Sequence, residues 1–242
     1  MNREKVNRYQ GGKNGEGVYQ RIINLIPPHK VWVEACAGSA AVTRYIYPAA
    51  QSYVFEAEHL QANRLKNILQ ERAVVINNNF MEVIDNYLQD PVDSFIYVDP
   101  PYLKLTRRDK RNIYKVEWSE EEHKDFLWWV NGRKENILIT HPRCKLYMTA
   151  LNQWNTLDYE YRSRVGMLKD CIWFNYSVPE VLHDYSYVGS NRTERQRIQR
   201  KIKREIERLN RLPVVERNAI IDAISRKFET INHSSSPALP GN

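Results

Sequence analysis

No run of about 18 apolar residues occurs in the 242-residue chain, and its opening, MNREKVNRYQ, is polar. The sequence therefore offers neither a membrane-spanning helix nor a secretory leader, and the expected location is the cytoplasm. Cysteine is scarce. Cys36, Cys144 and Cys171 are an odd set with no C-x-x-C pair, which excludes a disulfide framework and a zinc cluster and leaves three thiols expected to be reduced and mostly buried. The six histidines lack ligand spacing, so no metal is expected. Nine glycines without period, and no repeat of about 20 to 50 residues, exclude collagen-like and solenoid architectures. What remains, 42% hydrophobic and 27% charged residues, describes one or two globular domains with a real core.

The net charge of +7 is unevenly distributed. Arg192, Arg195, Arg197, Arg200, Lys201, Lys203, Arg204, Arg208 and Arg211 face only Glu194, Glu205 and Glu207 in one short segment. A second cluster, Lys104, Arg107, Arg108, Lys110, Arg111 and Lys115, is opposed by Asp109 alone. The rest of the chain is mildly acidic. Two cationic patches on such a body suit phosphate contacts; a solvated helix face and a solvated loop are the plainer alternatives.

Hydrophobic periodicity predicts a regular alternation. A short helix over 18–26 is followed by a buried strand over 30–35, a small-residue turn at 36–39 and a helix over 40–47. Strands over 52–55, 73–76, 94–98 and 136–140 alternate with helices over 60–69, 80–88 and 119–130. The expected fold is α/β and Rossmann-like: a mostly parallel sheet with helices on both faces, followed by C-terminal helices. Aromatic-rich runs between 155 and 187 read as antiparallel edge strands. Residues 1–190 are expected to form the catalytic domain, 191–230 a basic helical extension and 231–242 a disordered tail. Trp128, Trp129 and Tyr147 are expected to pack, and His141 to be a buried structural histidine rather than a lining of the crevice.

In such a sheet, ligands bind outside the carboxyl ends of the strands. Here those ends are polar: Glu34 and the turn around Gly38, then Glu56, then Asn79 with Phe80, then Asp99-Pro100-Pro101-Tyr102. Glu56 stands where a carboxylate can take both hydroxyls of a ribose, whereas the turn has one glycine and no Lys-[Ser/Thr], so phosphate cradling is not signalled. A nucleoside without phosphates fits better. Two consecutive prolines after Asp99 fix φ and remove backbone donors, leaving carbonyl acceptors beside the carboxylate. Asp99 and the Pro100 carbonyl can hold the two hydrogens of an exocyclic amino group, with Tyr102 stacking on the base; favouring positive charge on that nitrogen opposite an electrophilic methyl would speed transfer.

These residues resemble those of adenine-specific (N6) DNA methyltransferases of the Dam-like class, especially compact phage and prophage members. The resemblance runs over residues 8–230 and rests on Tyr9-Gln10-Gly11-Gly12-Lys13, Glu34 to Ala41, Glu56, Asn79-Phe80, Asp99 to Tyr102, and His183-Asp184-Tyr185 before the Arg-rich helix. It implies S-adenosylmethionine as methyl donor and DNA as acceptor. It also implies that Tyr9, Lys13, Glu34, Gly38, Glu56, Asn79, Phe80 and Asp99 surround the cofactor, with Tyr9 and Lys13 closing over it. Asn79 and Glu56 each replace a more usual aspartate, and the turn is poor in glycine. Only about 20 residues separate Asn79 from Asp99, so no recognition domain is inserted there, and DNA contact falls to Lys104, Arg107, Arg108, Lys110 and Arg111 in the loop and to Arg192, Arg195, Arg197, Arg200, Lys201 and Arg204 in the helix. Cytosine N4 is a rival acceptor, and a non-catalytic DNA-binding protein on a decayed scaffold is a rival of another class. The catalytic reading requires Asp99 to face an open hollow; a lysine filling it, or a carboxylate turned inward, would count against it.

Overall fold

The computed structural model describes residues 11–15, 17–88, 90–107, 109–163 and 166–234. Tyr9, Arg108 and residues 235–242 lie outside the described residues. The chain divides into two compact units, Met1–Val188 and Gly189–Asn242.

The first unit is built on seven strands: β1 Val31–Ala35, β2 Gln51–Phe55, β3 Val74–Ile76, β4 Ser94–Val98, β5 Asn136–Thr140, β6 Asn155–Ser163 and β7 Gly166–Phe174. Their order across the sheet is β3-β2-β1-β4-β5-β7-β6. The first five are parallel, and β7 joins β5 antiparallel as half of a hairpin with β6. All five residues of β1 and of β4 are buried, as expected for central parallel strands covered on both faces.

Side chains alternate between two cores. On one face Val33, Ala35, Ile96, Val98, Ile137 and Ile139 meet Phe80 of α4 (Phe80–Val83), Phe126, Leu127 and Val130 of α5 (Glu120–Asn131) and Tyr147 of α6 (Lys145–Ala150). On the other, Trp32, Phe95, Tyr97 and Leu138 meet Ile22 and Ile23 of α1 (Val18–Ile23) and Val42 of α2 (Ala41–Tyr45), while Val54 packs on Ala62 and Leu65 of α3 (His59–Leu69). This is the Rossmann-like, mostly parallel sheet with helices on both faces that the alternation predicts. Among the described residues no helix is long and apolar enough to cross a membrane.

Several local expectations change. The first helix ends at Ile23 although Ile26 stays buried, and the helix expected over 80–88 gives way after Val83 to a tight turn over Ile84–Asn86. Past Phe174 the aromatic segment forms no strand. Trp128 is 81% exposed, because Phe126, Leu127 and Val130 take the inward face of α5; Trp129 packs edge-on against Phe80. All three cysteines are free, but only Cys171 is buried; Cys36 and Cys144 are half-buried.

The second unit holds α7 (Arg192–Asn210) and α8 (Val214–Ser234). Asn191 caps α7 by accepting from the Glu194 N–H, and no residue of α7 is buried. α8 continues to Ser234, so residues 231–234, expected in the tail, are helical.

Candidate active site

β1 and β4 are neighbours, but the connection leaving β1 runs to β2 on one side and that leaving β4 runs to β5 on the other, so the two diverge and open a crevice at the carboxyl ends of the central strands. The turn that follows β1 is tight. Cys36, Gly38 and Ala40 adopt positive φ of 54°, 52° and 47°. For the two non-glycine residues this left-handed geometry costs about 1 kcal/mol each. The turn is held from the next strand: the Gly38 N–H donates to Glu56 Oε2 at 2.8 Å, and the Gly38 carbonyl accepts from the Gln61 side chain. Glu56 Oε1 accepts from the Glu58 N–H at 2.9 Å, and burial pushes the carboxyl above its usual range.

Outside this turn opens a cleft of about 860 Å³, part of it open to solvent. Cys36, Ala37 and Gly38 form one side, Glu56 and Ala57 the next, then Asn78, Asn79 and Phe80, then Asp99, Pro100 and Pro101. The ends of β1, β2, β3 and β4 therefore meet at one hollow, as the sequence leads one to expect. No lysine or arginine lines it among the described residues, and Glu56, Asp99 and Glu122 do. Asn79 also caps α4, accepting from the Met81 N–H at 3.2 Å.

Three expected residues are elsewhere or differently engaged. Glu34 does not reach the cleft: its Oε2 accepts from the Thr43 N–H at 2.7 Å and the Thr43 hydroxyl at 2.5 Å under α2, and burial pushes its carboxyl up to about 7. Alternation along β1 accounts for this, since Glu34 shares the face of Trp32 rather than that of Ala35. Tyr102 does not line the cleft; its ring lies edge-on to His141 at 5.4 Å and its hydroxyl accepts from Lys13 and donates to Asp170. Lys13, expected over the cofactor, instead bonds Asp99 Oδ1 at 2.6 Å and the Tyr102 hydroxyl at 2.6 Å.

A lysine thus bonds the Asp99 that was expected to be an open acceptor, although it does not itself line the cleft. It takes one carboxylate oxygen, not both. Thr140 also donates to Asp99 Oδ1, at 2.7 Å, and no described residue bonds the second carboxylate oxygen or the Pro100 carbonyl. Burial raises the Asp99 carboxyl above its ordinary range, and the adjoining ammonium opposes that shift. Burial likewise pulls the Lys13 ammonium down, but Asp99 and Asp170 more than reverse this and leave it above the usual lysine value.

The loop between Leu103 and Trp118 has a role its charges did not announce: Tyr114, Val116 and Trp118 wall the cleft. Gly11 passes so close to Tyr114 that a Cβ there would sit 3.1 Å from its ring, at a φ of 82° that independently favours glycine. Glu117 organises this loop. It accepts from Arg107 at 3.0 and 2.7 Å and from the Ile113 and Tyr114 N–H groups at 2.7 and 3.1 Å. Arg107 is therefore 7% exposed and withdrawn from the expected phosphate contacts, whereas Lys104, Lys110 and Arg111 are exposed. Replacing Glu117 by Ala leaves the buried guanidinium unpaired and should cost about 3 kcal/mol. A fall in Tm, with weaker binding of any ligand the loop covers, checks this.

Sequence reasoning also missed Thr140, Asp170 and Tyr159, which complete the surroundings of Lys13. The one available signal was a lone aspartate at 170 beside the apolar run 171–174. His141 and Tyr147 are fully buried and stack at 3.8 Å, which makes both structural. Among the described residues no cluster suits a metal ion.

No protein-family model matches the chain, and no curated protein matches it in sequence. Solved structures resemble its course loosely. TrmK from M. capricolum, in complex with S-adenosyl-homocysteine, is 10% identical at a TM-score of 0.46, over 88% of this chain and 96% of that one. An rRNA methylase from Streptococcus thermophilus is 15% identical at 0.41, over 64% and 93%. The 23S rRNA methyltransferase ErmE is 12% identical at 0.40, over 69% and 68%. Likeness at this level bears on neither the ligand nor the substrate of this chain.

Proposed function

We propose that the chain is an S-adenosylmethionine-dependent methyltransferase that modifies the N6 amino group of an adenine flipped out of DNA. The observation that carries the reading is the place of Asp99-Pro100-Pro101: at the end of β4, on the wall of the cleft that Gly38 and Glu56 also line. The lining suits the cofactor. It has carboxylates and no described cation, which disfavours phosphates and favours a nucleoside carrying a sulfonium charge. Glu56 would accept from the ribose hydroxyls, since each carboxylate oxygen has a lone pair beyond its present backbone bond. Asn79, with an amide donor and acceptor, would meet the adenine edge of the cofactor.

When bound, S-adenosylmethionine supplies an electrophilic methyl group. The second oxygen of Asp99 and the Pro100 carbonyl would accept the two hydrogens of the target amino group, direct its lone pair at that methyl, and stabilise the positive charge that develops on nitrogen. Asp99 is then placed to accept the proton lost after transfer. Thr140, bonded to the other oxygen, keeps the carboxylate in this orientation. Incubation with S-adenosylmethionine labelled in its methyl group, offered duplex DNA and structured RNA separately, tests the reading: label in DNA is expected, and label in RNA alone, or in neither, contradicts it.

The basic face of α7 is assigned to DNA phosphates, with Lys104, Lys110 and Arg111 of the loop. Replacing Arg195, Arg197, Arg200 and Arg204 by Gln should weaken DNA binding and reduce the slope of log affinity against log salt by up to about 3.6, at roughly 0.9 per lost phosphate contact. Titrations at several salt concentrations measure it; an unchanged slope removes the helix from the interface.

A further inference from the structure

Asp170 is a second carboxylate in contact with Lys13, and the methyl-transfer chemistry above makes no use of it. It lies within β7, and its side chain is wholly enclosed. Its Oδ1 accepts from the Cys171 N–H at 2.9 Å, and its Oδ2 accepts from the Tyr159 hydroxyl at 2.9 Å and from the Tyr102 hydroxyl. Lys13 Nζ stands between the two acids, 2.6 Å from Asp99 Oδ1 and 3.8 Å from Asp170 Oδ2. The Tyr102 hydroxyl touches both Nζ and Asp170 and links the two positions.

This arrangement is costly for a purely structural one. Two buried carboxylates share one buried ammonium, and among the described residues no second cation pairs with either. The tyrosine hydroxyls and the Cys171 N–H need only a neutral acceptor, which an amide oxygen would supply in part. What a charged group at 170 adds is a place for Lys13. A target amino group docked on the second Asp99 oxygen gains positive charge during transfer, close to the ammonium on the first oxygen, and an ammonium cannot leave its counter-ion inside a protein unless another receives it. Asp170 Oδ2 is about one ångström beyond contact distance, and Thr140 stays to hold Asp99 Oδ1 when Lys13 withdraws.

We propose that Asp170 is a positioning residue: it receives the Lys13 ammonium when the target amino group docks on Asp99, so that Lys13 guards the acceptor when no target is present and yields it when one arrives. The proposal rests on reading Asp99 as the amino-group acceptor. Kinetically, Asp170→Asn should raise KM for DNA about tenfold or more and leave S-adenosylmethionine affinity unchanged, because Lys13 then has only Asp99. The double variant Lys13→Met, Asp170→Asn should be no slower than Lys13→Met alone, since without the ammonium Asp170 has nothing to receive. Effects that multiply would instead mean that Asp170 only holds Tyr102 and Tyr159, and would overturn the proposal.

A structural arm separates this proposal from the function it rests on. In a crystal structure of Asp99→Asn, Lys13 Nζ should lie about 2.8 Å from Asp170 Oδ2, the spacing of a charge-assisted hydrogen bond. Nζ remaining on residue 99, or turned to solvent, overturns the proposal even if every kinetic variant fails to fold. If the native chain methylates neither DNA nor RNA, the functional reading fails, while this structure still decides whether Asp170 receives the lysine.

Discussion

Asp99→Asn is expected to lower methyl transfer to DNA at least about a thousandfold, the scale on which a preorganised acceptor aimed at developing charge acts. S-adenosylmethionine affinity, measured by calorimetry, should stay within about tenfold, because Glu56 and the Gly38 turn remain. The substitution is nearly isosteric: an amide oxygen can still accept from Thr140, and Lys13 retains Asp170 as a counter-ion 3.8 Å away. Folding should therefore survive, and an intact Tm separates a chemical effect from collapse. Near-native transfer by this variant would remove Asp99 from catalysis and leave the resemblance of residues 99–102 without functional meaning.

Glu56→Ala should produce the second large effect, on binding rather than on chemistry. Its carboxylate holds the Gly38 N–H and the Glu58 N–H, and so shapes the turn that forms the cleft while presenting an acceptor to it. Losing both functions should weaken S-adenosylmethionine binding about a hundredfold, or roughly 2.7 kcal/mol. Glu56→Gln distinguishes the two, since its amide oxygen can hold one backbone N–H but the side chain can no longer accept two hydroxyls through an anion. Binding restored fully by Gln would mean that the residue only shapes the turn. Affinity for DNA in the absence of cofactor should be unchanged in both.

The alternation of strand and helix patterns was legible because each buried parallel strand reads as a short apolar run; the observed β4 and β5 coincide with the predicted spans of 94–98 and 136–140. The polar residues at the strand ends were legible for the same reason, since a turn follows each run. Facing was harder to read. Glu34 and Ala35 are neighbours in sequence, yet alternation sends Glu34 beneath α2 while the next residues enter the cleft. Long-range partners left still less trace. Nothing local marks Asp170 as a neighbour of Lys13, 157 positions away, because the β6–β7 hairpin brings it there through antiparallel pairing with β5. Charge density misled at Arg107, whose partner Glu117 stands two residues past the last cation of the cluster and turns a surface cation into the staple of a cleft wall.

Lys13 is the residue on which the reading of the site turns. Its position on Asp99 is the arrangement that a simple open acceptor excludes, and it is reconciled with catalysis by the second carboxylate oxygen and by Asp170. The function proposed for this cleft is to deliver a methyl group to the amino nitrogen of an extrahelical adenine. Nucleoside mass spectrometry of duplex DNA incubated with the purified protein and S-adenosylmethionine measures that outcome directly. N6-methyladenine is expected, and none when Asp99→Asn replaces the native chain; N4-methylcytosine as the sole product, or no modified base at all, would contradict the proposed function.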